Sequence, residues 1–137
     1  MGIGDLFAYE ATTDGITVRV QPRFAEDQSD ASHGHWVWYY HIRIENDSGA
    51  PVQLVDRYWI ITDGEGKRRD VMGEGVVGEQ PLIAHGASFD YVSGCPLTTP
   101  MGNMRGSYGM IDSGGRRLEV AIPSFDLISP DSKRAAN

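Results

Sequence analysis

The chain has little cysteine, little basic charge and no long apolar run, and each scarcity excludes a class of protein. Its single cysteine, Cys95, cannot form a disulfide within the chain, which fits a reducing compartment. The 12 basic and 19 acidic residues give a net charge of −7, which argues against a nucleic-acid-binding surface. No stretch approaches the roughly 20 apolar residues that span a bilayer, and no secretion signal is recognisable. We therefore expect a cytoplasmic protein without membrane insertion.

The sequence also lacks any long hydrophobic repeat of helical period. Its 137 residues fit one domain, and a hydrophobic content of 40% is enough for a folded core. We predict a single domain over residues 1–137, with its core at about 6–130. The small, polar segment 131–137 is predicted to be a flexible tail.

What the chain does contain is a series of short strand patterns separated by turn signals. Alternation of apolar and polar residues predicts strands at 15–22, 36–45, 52–62, 67–71, 87–93, 102–111 and 117–122. Pro22 and Pro123 are predicted to end strands, a bulge is predicted near Asp56, and Phe125 and Leu127 are predicted to cover a sheet edge. The pattern predicts an all-β fold, a fibronectin type III-like or immunoglobulin-like β-sandwich of about seven strands, with a small barrel as the alternative.

A glycine-rich motif is the clearest candidate for chemistry. Gly73, Gly75 and Gly78 match the spacing of dinucleotide-binding loops, in which glycines let the backbone approach a pyrophosphate at a helix N-terminus. Pro81 follows where that helix would begin, and acidic residues flank the loop. We interpret the motif as tight turns between strands and keep a phosphate loop as the alternative.

Other residues give weaker functional signals. His33 and His35 lie two apart in an acidic loop, so a divalent-metal site there is an alternative to a solvated loop. Cys95 has no recognisable histidine partner and is expected to be a small buried side chain rather than a nucleophile. The short basic clusters at 67–69 and 116–117 are expected to be solvated turn charges.

Aromatic residues are more numerous than a small core strictly needs. Trp36, Tyr58 and Trp59 are candidates for an exposed interaction surface, because aromatic side chains are enriched at interface cores. Packing in the core is the alternative. If they are exposed, the partner would be another protein or a second copy of the chain in a homodimer.

Several consecutive segments together resemble the bacterial ApaG family. They include Val52-Gln53-Leu54, Arg57-Tyr58-Trp59-Ile60-Ile61-Thr62-Asp63-Gly64, Val76-Val77-Gly78-Glu79-Gln80-Pro81 and Phe89-Asp90-Tyr91-Val92-Ser93-Gly94-Cys95-Pro96-Leu97-Thr98-Thr99-Pro100. The resemblance spans roughly residues 6–130. The segment Asp56-Arg57-Tyr58 departs from it, since a small residue and a histidine are expected before the tryptophan.

The resemblance implies a fibronectin type III-like sandwich and a bacterial role linked to cobalt and magnesium efflux or resistance, without an established catalytic activity. Related domains in eukaryotic F-box proteins and in a DNA-polymerase-delta interacting protein imply an interaction module. We therefore expect a non-enzymatic protein-binding domain with no required cofactor. The alternatives are a Co²⁺- or Mg²⁺-responsive accessory and a nucleotide- or pyrophosphate-binding protein acting through the glycine loop.

Overall fold

Nine β-strands and one short helix form the framework of the computed structural model, which describes residues 2–135. The strand bounds are β1 Tyr9–Thr13, β2 Ile16–Phe24, β3 Trp36–Asn46, β4 Val52–Asp63, β5 Arg68–Glu74, β6 Leu82–Ile83, β7 Ser88–Leu97, β8 Met101–Asp112 and β9 Arg117–Ile128. The helix α1 is Pro130–Ala135, and short 3₁₀ turns lie at Ile3–Leu6, Glu26–Gln28 and Ala31–His33.

The strands form two antiparallel sheets that pack face to face. The first sheet has the order β1-β2-β3-β7, and the second has the order β5-β4-β8-β9, with β6 paired to one end of β4. This arrangement confirms the predicted sandwich over the barrel. Two strands were not predicted: β1 lies at a sheet edge and carries little apolar alternation, and β6 is only two residues long.

The core is built from the inward-facing residues of both sheets and is rich in aromatic rings. Trp38, Tyr108 and Phe125 are almost completely buried. Trp59 packs edge-on against Tyr40, Tyr108 and Phe125, with ring centroids 5.4, 6.4 and 5.9 Å away. Such edge-to-face pairs add about 0.5–1.5 kcal/mol each beyond the burial of apolar area.

A bulge in β4 decides which of its side chains face this core. The pairing of β4 with β8 shifts between Leu54 and Asp56, which confirms the predicted irregularity. Before the bulge the even-numbered Leu54 is buried, and after it the odd-numbered Trp59 and Ile61 are buried. The extra residue thus reverses the face that each later position presents.

Neither Pro22 nor Pro123 ends a strand, so that prediction was wrong. β2 continues to Phe24. The first residue of β1, Tyr9, lies opposite Val20, so within residues 2–135 the only strand partner of β2 at Pro22 is β3. A proline is tolerated where one side of a strand is unpaired. Pro123 lies in β9 where the pairing with β8 shifts between Met104 and Gly106. A bulge accommodates a residue that lacks an N–H.

The continuation of β9 corrects a second prediction. Phe125 and Leu127 are strand residues that point into the core between the sheets, with 1% and 0% of their surface exposed. They do not cover a sheet edge. Their alternation with exposed neighbours follows the two-residue period of the preceding half of β9.

The segment that was predicted to be a flexible tail begins in the helix α1. Residues 131–135 belong to α1, whose start is held by hydrogen bonds to the rest of the fold. The Trp36 indole N–H donates to an Asp131 carboxylate oxygen at 2.8 Å, and the buried Ser132 hydroxyl donates to the Ser129 carbonyl at 2.7 Å. Residues 136 and 137 lie outside the described part of the chain.

The two sides of the sandwich differ. On one side, the edge strands β1 and β9 touch, and the Ala121 N–H donates to the Thr13 hydroxyl at 3.1 Å. On the other side, the edge strands are β5 and β7, and neither has a second strand partner in residues 2–135. This second side is the open side of the molecule.

Candidate functional site

A trough follows the open side between β5 and β7. It consists of three cavities of about 290, 210 and 390 Å³, which lead from the glycine-rich loop to the turn before β5. The first two cavities share Tyr40, Arg57, Trp59 and Ser93. The second and third share lining residues as well, namely Ile61, Arg69 and Pro96. We call this continuous surface the trough.

Buried tyrosines lie beneath the glycine-loop end of the trough. The hydroxyl groups of Tyr91 and Tyr108 form a hydrogen bond with each other. Burial raises the pKa of Tyr40, Tyr91 and Tyr108 above the usual value for a phenol, because a phenolate would lose its hydration there. The phenols are therefore neutral hydrogen-bonding groups at physiological pH.

The rim of the trough carries more positive than negative charge. Within residues 2–135, Arg57, Lys67 and Arg69 have no carboxylate within 4.0 Å. Arg68 is paired with Asp70, its Nε lying 2.7 Å from the carboxylate, and this pair lowers the Asp70 pKa to about 2. On a protein of net charge −7, unpaired cations along one groove would attract anionic groups.

Arg57 also fixes the glycine-rich loop. Its Nη1 donates to the carbonyl oxygens of Glu74 and Gly75 at 3.0 and 2.9 Å. A Cβ at Gly73 would lie 2.8 Å from that Nη1, so the absence of a side chain there lets the guanidinium reach the loop. Gly73 thus has a structural role.

The rest of the loop is a tight turn. Gly75 and Gly78 have φ of +63° and +82°, and a Cβ on Gly75 would lie 2.2 Å from the Glu79 carbonyl oxygen. Val76 and Glu79 exchange backbone hydrogen bonds of 2.8 and 2.9 Å around the two central residues. The chain then enters β6 rather than a helix. The interpretation of Gly73, Gly75 and Gly78 as turn residues explains this geometry, whereas the phosphate-loop alternative requires a helix N-terminus that does not follow.

The two histidines predicted as metal ligands have different surroundings in the structure. His33 Nδ1 lies 2.5 Å from Asp30 Oδ2 in an exposed pair, whereas His35 lies at the far end of the trough. The described part of the chain, residues 2–135, contains no group of three or more His, Cys, Asp or Glu residues placed to hold a metal ion.

The three aromatic residues predicted to form an interaction surface lie in different places. Trp59 is only 3% exposed, so its prediction as a surface residue was wrong, because the β4 bulge turns it into the core. Tyr58 is half-buried, and its hydroxyl donates to Asp70 at 2.5 Å. Trp36 is half-buried against the start of α1. They do not form one patch.

Cys95 is buried beside the trough, as its sequence context predicted. Burial raises the pKa of its thiol to about 11. A thiol with that pKa is protonated at neutral pH, and the protonated form is a poor nucleophile.

Sequence reasoning missed a groove on the outer face of the first sheet, which has apolar and polar lining residues. Its lining includes Ile3, Leu6, Phe7, Tyr39 and Val92, and its volume is about 480 Å³. Tyr39 and Val92 are on the outward-facing positions of β3 and β7, with 42% and 57% of their surface exposed. Apolar residues at polar positions of an alternating strand were the available signal.

The comparison with known proteins identifies the family. Residues 26–112 match the family model described as the ApaG domain. The chain belongs to the ApaG family. It is 46% identical to Protein ApaG of Bradyrhizobium sp. (strain ORS 278) and 50% identical to Protein ApaG of Brucella anthropi, each over 129 residues that cover 94% of this chain and 99% of the relative.

A solved structure of an ApaA protein from Bordetella pertussis superposes on this chain with a TM-score of 0.82 and 46% sequence identity. The match covers 88% of this chain and 97% of that one. These matches confirm the resemblance and the sandwich fold derived from the sequence. Among residues 2–135, no helix of this ApaG domain is long and apolar enough to cross a membrane.

Proposed function

We propose that this ApaG domain is a non-enzymatic protein-interaction domain that binds its partner along the open side of the sandwich. The observation that carries the proposal is the difference between the two sides. Contacts between β1 and β9 close one side, and the trough lies along the other. The trough combines the apolar side chains Ile61 and Leu97 at one end with the unpaired cations Arg57, Lys67 and Arg69. Arginines and aromatic residues with apolar surroundings are typical of binding surfaces.

The test compares two charge reversals of the same residue type. Arg69 lines the trough, whereas Arg116 is in the β8–β9 turn and lines none of the trough cavities. We expect a partner captured by the wild-type domain to be lost with Arg69→Glu and retained with Arg116→Glu. Equal capture by both variants, or no partner at stoichiometric yield with the wild type, would contradict the proposal.

A role in cobalt and magnesium efflux or resistance is the proposed cellular context. The ApaG resemblance motivates this role. We propose that it depends on the protein partner that the domain binds and not on a metal site in the domain. In a bacterium deleted for its own ApaG, we expect wild-type and Arg116→Glu proteins to restore growth in added Co²⁺ and Arg69→Glu to fail. Equal rescue by Arg69→Glu and Arg116→Glu would show that cation tolerance does not depend on the trough.

A further inference from the structure

The main-chain groups of β7 provide a second feature of the open side, in addition to its charge. β7 is the last strand of the first sheet and pairs with β3 without interruption from Glu45 opposite Ser88 to Trp36 opposite Leu97. An edge strand leaves every second residue with an unpaired N–H and C=O.

The hydrogen-bond pattern shows which residues of β7 face outward. The carbonyl oxygen of Val37 in β3 accepts from Ala25 on the β2 side, and the Asn46 N–H at the end of β3 donates to Ala87 on the β7 side. Even-numbered residues of β3 therefore bond to β7, and they lie opposite odd-numbered residues of β7. The main-chain groups of Asp90, Val92 and Gly94 face the open side.

This edge lacks the usual protection against strand pairing. The opposite edge, β5, carries the charged residues Arg68, Arg69, Asp70 and Glu74. β7 carries one charged residue, Asp90, and its carboxylate is paired with His41 and Arg43 at 2.8 and 3.0 Å. No bulge interrupts β7, and its single proline, Pro96, is near its end. An edge strand without such devices is a template on which another chain can pair.

We propose that the β7 edge is a strand-addition site for an extended acidic peptide, which would form a fifth strand of the first sheet and cover the trough. This inference rests on the proposed interaction function and names its partner class. Main-chain hydrogen bonds supply affinity in this mode of recognition, and pockets for alternate side chains supply selectivity.

The alternation of side chains along the added strand gives the selectivity. Residues opposite Tyr91, Ser93 and Cys95 point toward the trough, because paired residues share a face of the sheet. Arg57 and Arg69 line the trough there, so acidic side chains fit these positions. The alternate residues lie beside exposed Val92 on the outer face, where apolar side chains fit.

The probe is a blocked peptide of ten residues in which glutamate and valine alternate. The control peptides are the lysine–valine analogue and a copy of the probe that is N-methylated at its valines, the residues whose N–H groups would pair with the outward-facing groups of β7. We expect only the unmethylated acidic peptide to bind, with slower hydrogen exchange at the amides of Asp90, Val92 and Gly94. High salt should weaken this binding, because it screens exposed charges.

A proline variant tests the main-chain contribution separately. The Val92 N–H faces solvent, so Val92→Pro removes it without breaking the bonds between β3 and β7, and Val92→Thr keeps it. We expect Val92→Pro to weaken peptide binding about tenfold, while Val92→Thr stays within about twofold. Equal binding by the two variants would overturn the proposal, provided that the amide spectrum of the proline variant retains the native fold.

Two further outcomes separate this inference from the proposed function. Protection of the same amides that rises with protein concentration, without peptide, would assign the edge to a second copy and overturn the peptide proposal. Cellular capture that Arg69→Glu abolishes but Val92→Pro preserves would keep the interaction function and refute strand addition. Absence of binding by the acidic probe at millimolar concentration would also refute it.

Discussion

The guanidinium of Arg57 occupies the space that a side chain on Gly73 would need. A Cβ at position 73 would lie 2.8 Å from Arg57 Nη1, the atom that donates to the Glu74 and Gly75 carbonyl oxygens. The absence of a side chain at Gly73 thus leaves room for the Arg57 guanidinium. Substitution of each glycine in turn tests whether the motif shapes the loop.

Alanine substitutions in the loop should have unequal effects on stability. Gly75→Ala combines a left-handed backbone with a Cβ at 2.2 Å from the Glu79 carbonyl oxygen, and we expect a loss of about 2 kcal/mol or more. Gly78→Ala has the unfavourable φ with open space, and Gly73→Ala displaces a flexible side chain, so about 1 kcal/mol is expected for each. Urea unfolding measures the series, and equal losses at the three positions would contradict this account.

The sequence was sufficient to predict most of the strands because their alternation records which face is buried. β3 is the clearest case, since Trp38, Tyr40, Ile42 and Ile44 are all buried. The prolines misled the prediction because tolerance of a missing N–H depends on the partner strand. Pro123 lies within a bulge of β9 that no local pattern reveals.

The trough could not be predicted, because it depends on the distance between two sheets. Arg57 and Arg69 are in different strands and meet Ser93 only after the sandwich forms. The bulge of β4 was predicted, but the sequence did not show which face its second half buries, so Trp59 was named with Tyr58 as a surface candidate on the number of aromatic residues alone. Only the glycine loop gave a local signal, which indicated a turn.

Val77 occupies a backbone conformation that is costly for a β-branched residue. Its φ is +45°, it forms a two-residue turn with Gly78, and its side chain is 55% exposed. Turns of this kind favour asparagine or glycine. We expect Val77→Asn to raise the free energy of unfolding by about 0.5 kcal/mol, as measured by thermal and urea unfolding. Val77→Thr keeps the branched side chain and should not raise the free energy of unfolding. Equal free energies for the two variants would show that Val77 is not strained.

Alanine substitutions at Trp59 and Tyr58 should differ in their cost to stability, because Trp59 packs in the core and Tyr58 lies nearer the surface. Trp59→Ala removes a side chain in contact with three aromatic rings and should cost about 3–5 kcal/mol. Tyr58→Ala removes a half-buried ring and one hydrogen bond to Asp70, so we expect a cost of about 1 kcal/mol. Guanidinium unfolding compares them, and a smaller cost for Trp59→Ala would contradict its position in the core.

The hydrogen bond between Tyr91 and Tyr108 predicts strong coupling between two conservative substitutions. Each single change to phenylalanine leaves the partner hydroxyl buried without its hydrogen bond, which costs about 1–3 kcal/mol. The double change removes both hydroxyls and should cost less than the sum of the single changes. A double-mutant cycle from urea unfolding measures the coupling. Additive effects would show that the hydroxyls do not depend on each other.

Alkaline pH should destabilise the fold through the same buried groups. Burial raises the pKa of Tyr40, Tyr91 and Tyr108 above the ordinary phenol value of 10.0, and it raises that of Cys95 to about 11 from 9.0. The unfolded chain therefore releases these protons at lower pH than the folded chain does, so their contribution to stability is complete below pH 9 and falls as the pH rises.

The slope of this alkaline loss distinguishes the buried phenols from other groups. Each group that is ionised only in the unfolded chain lowers the free energy of unfolding by about 1.4 kcal/mol per pH unit. Replacing both Tyr91 and Tyr108 with phenylalanine removes two such groups, so the double variant should show a shallower decline than the wild type in urea unfolding above pH 10. The variant replacing Cys95 with alanine should differ from the wild type already from pH 9, because the thiol ionises first in the unfolded chain. Parallel curves for all three proteins would show that these groups are not protected from ionisation, and the tyrosines beneath the trough would then be accessible to water.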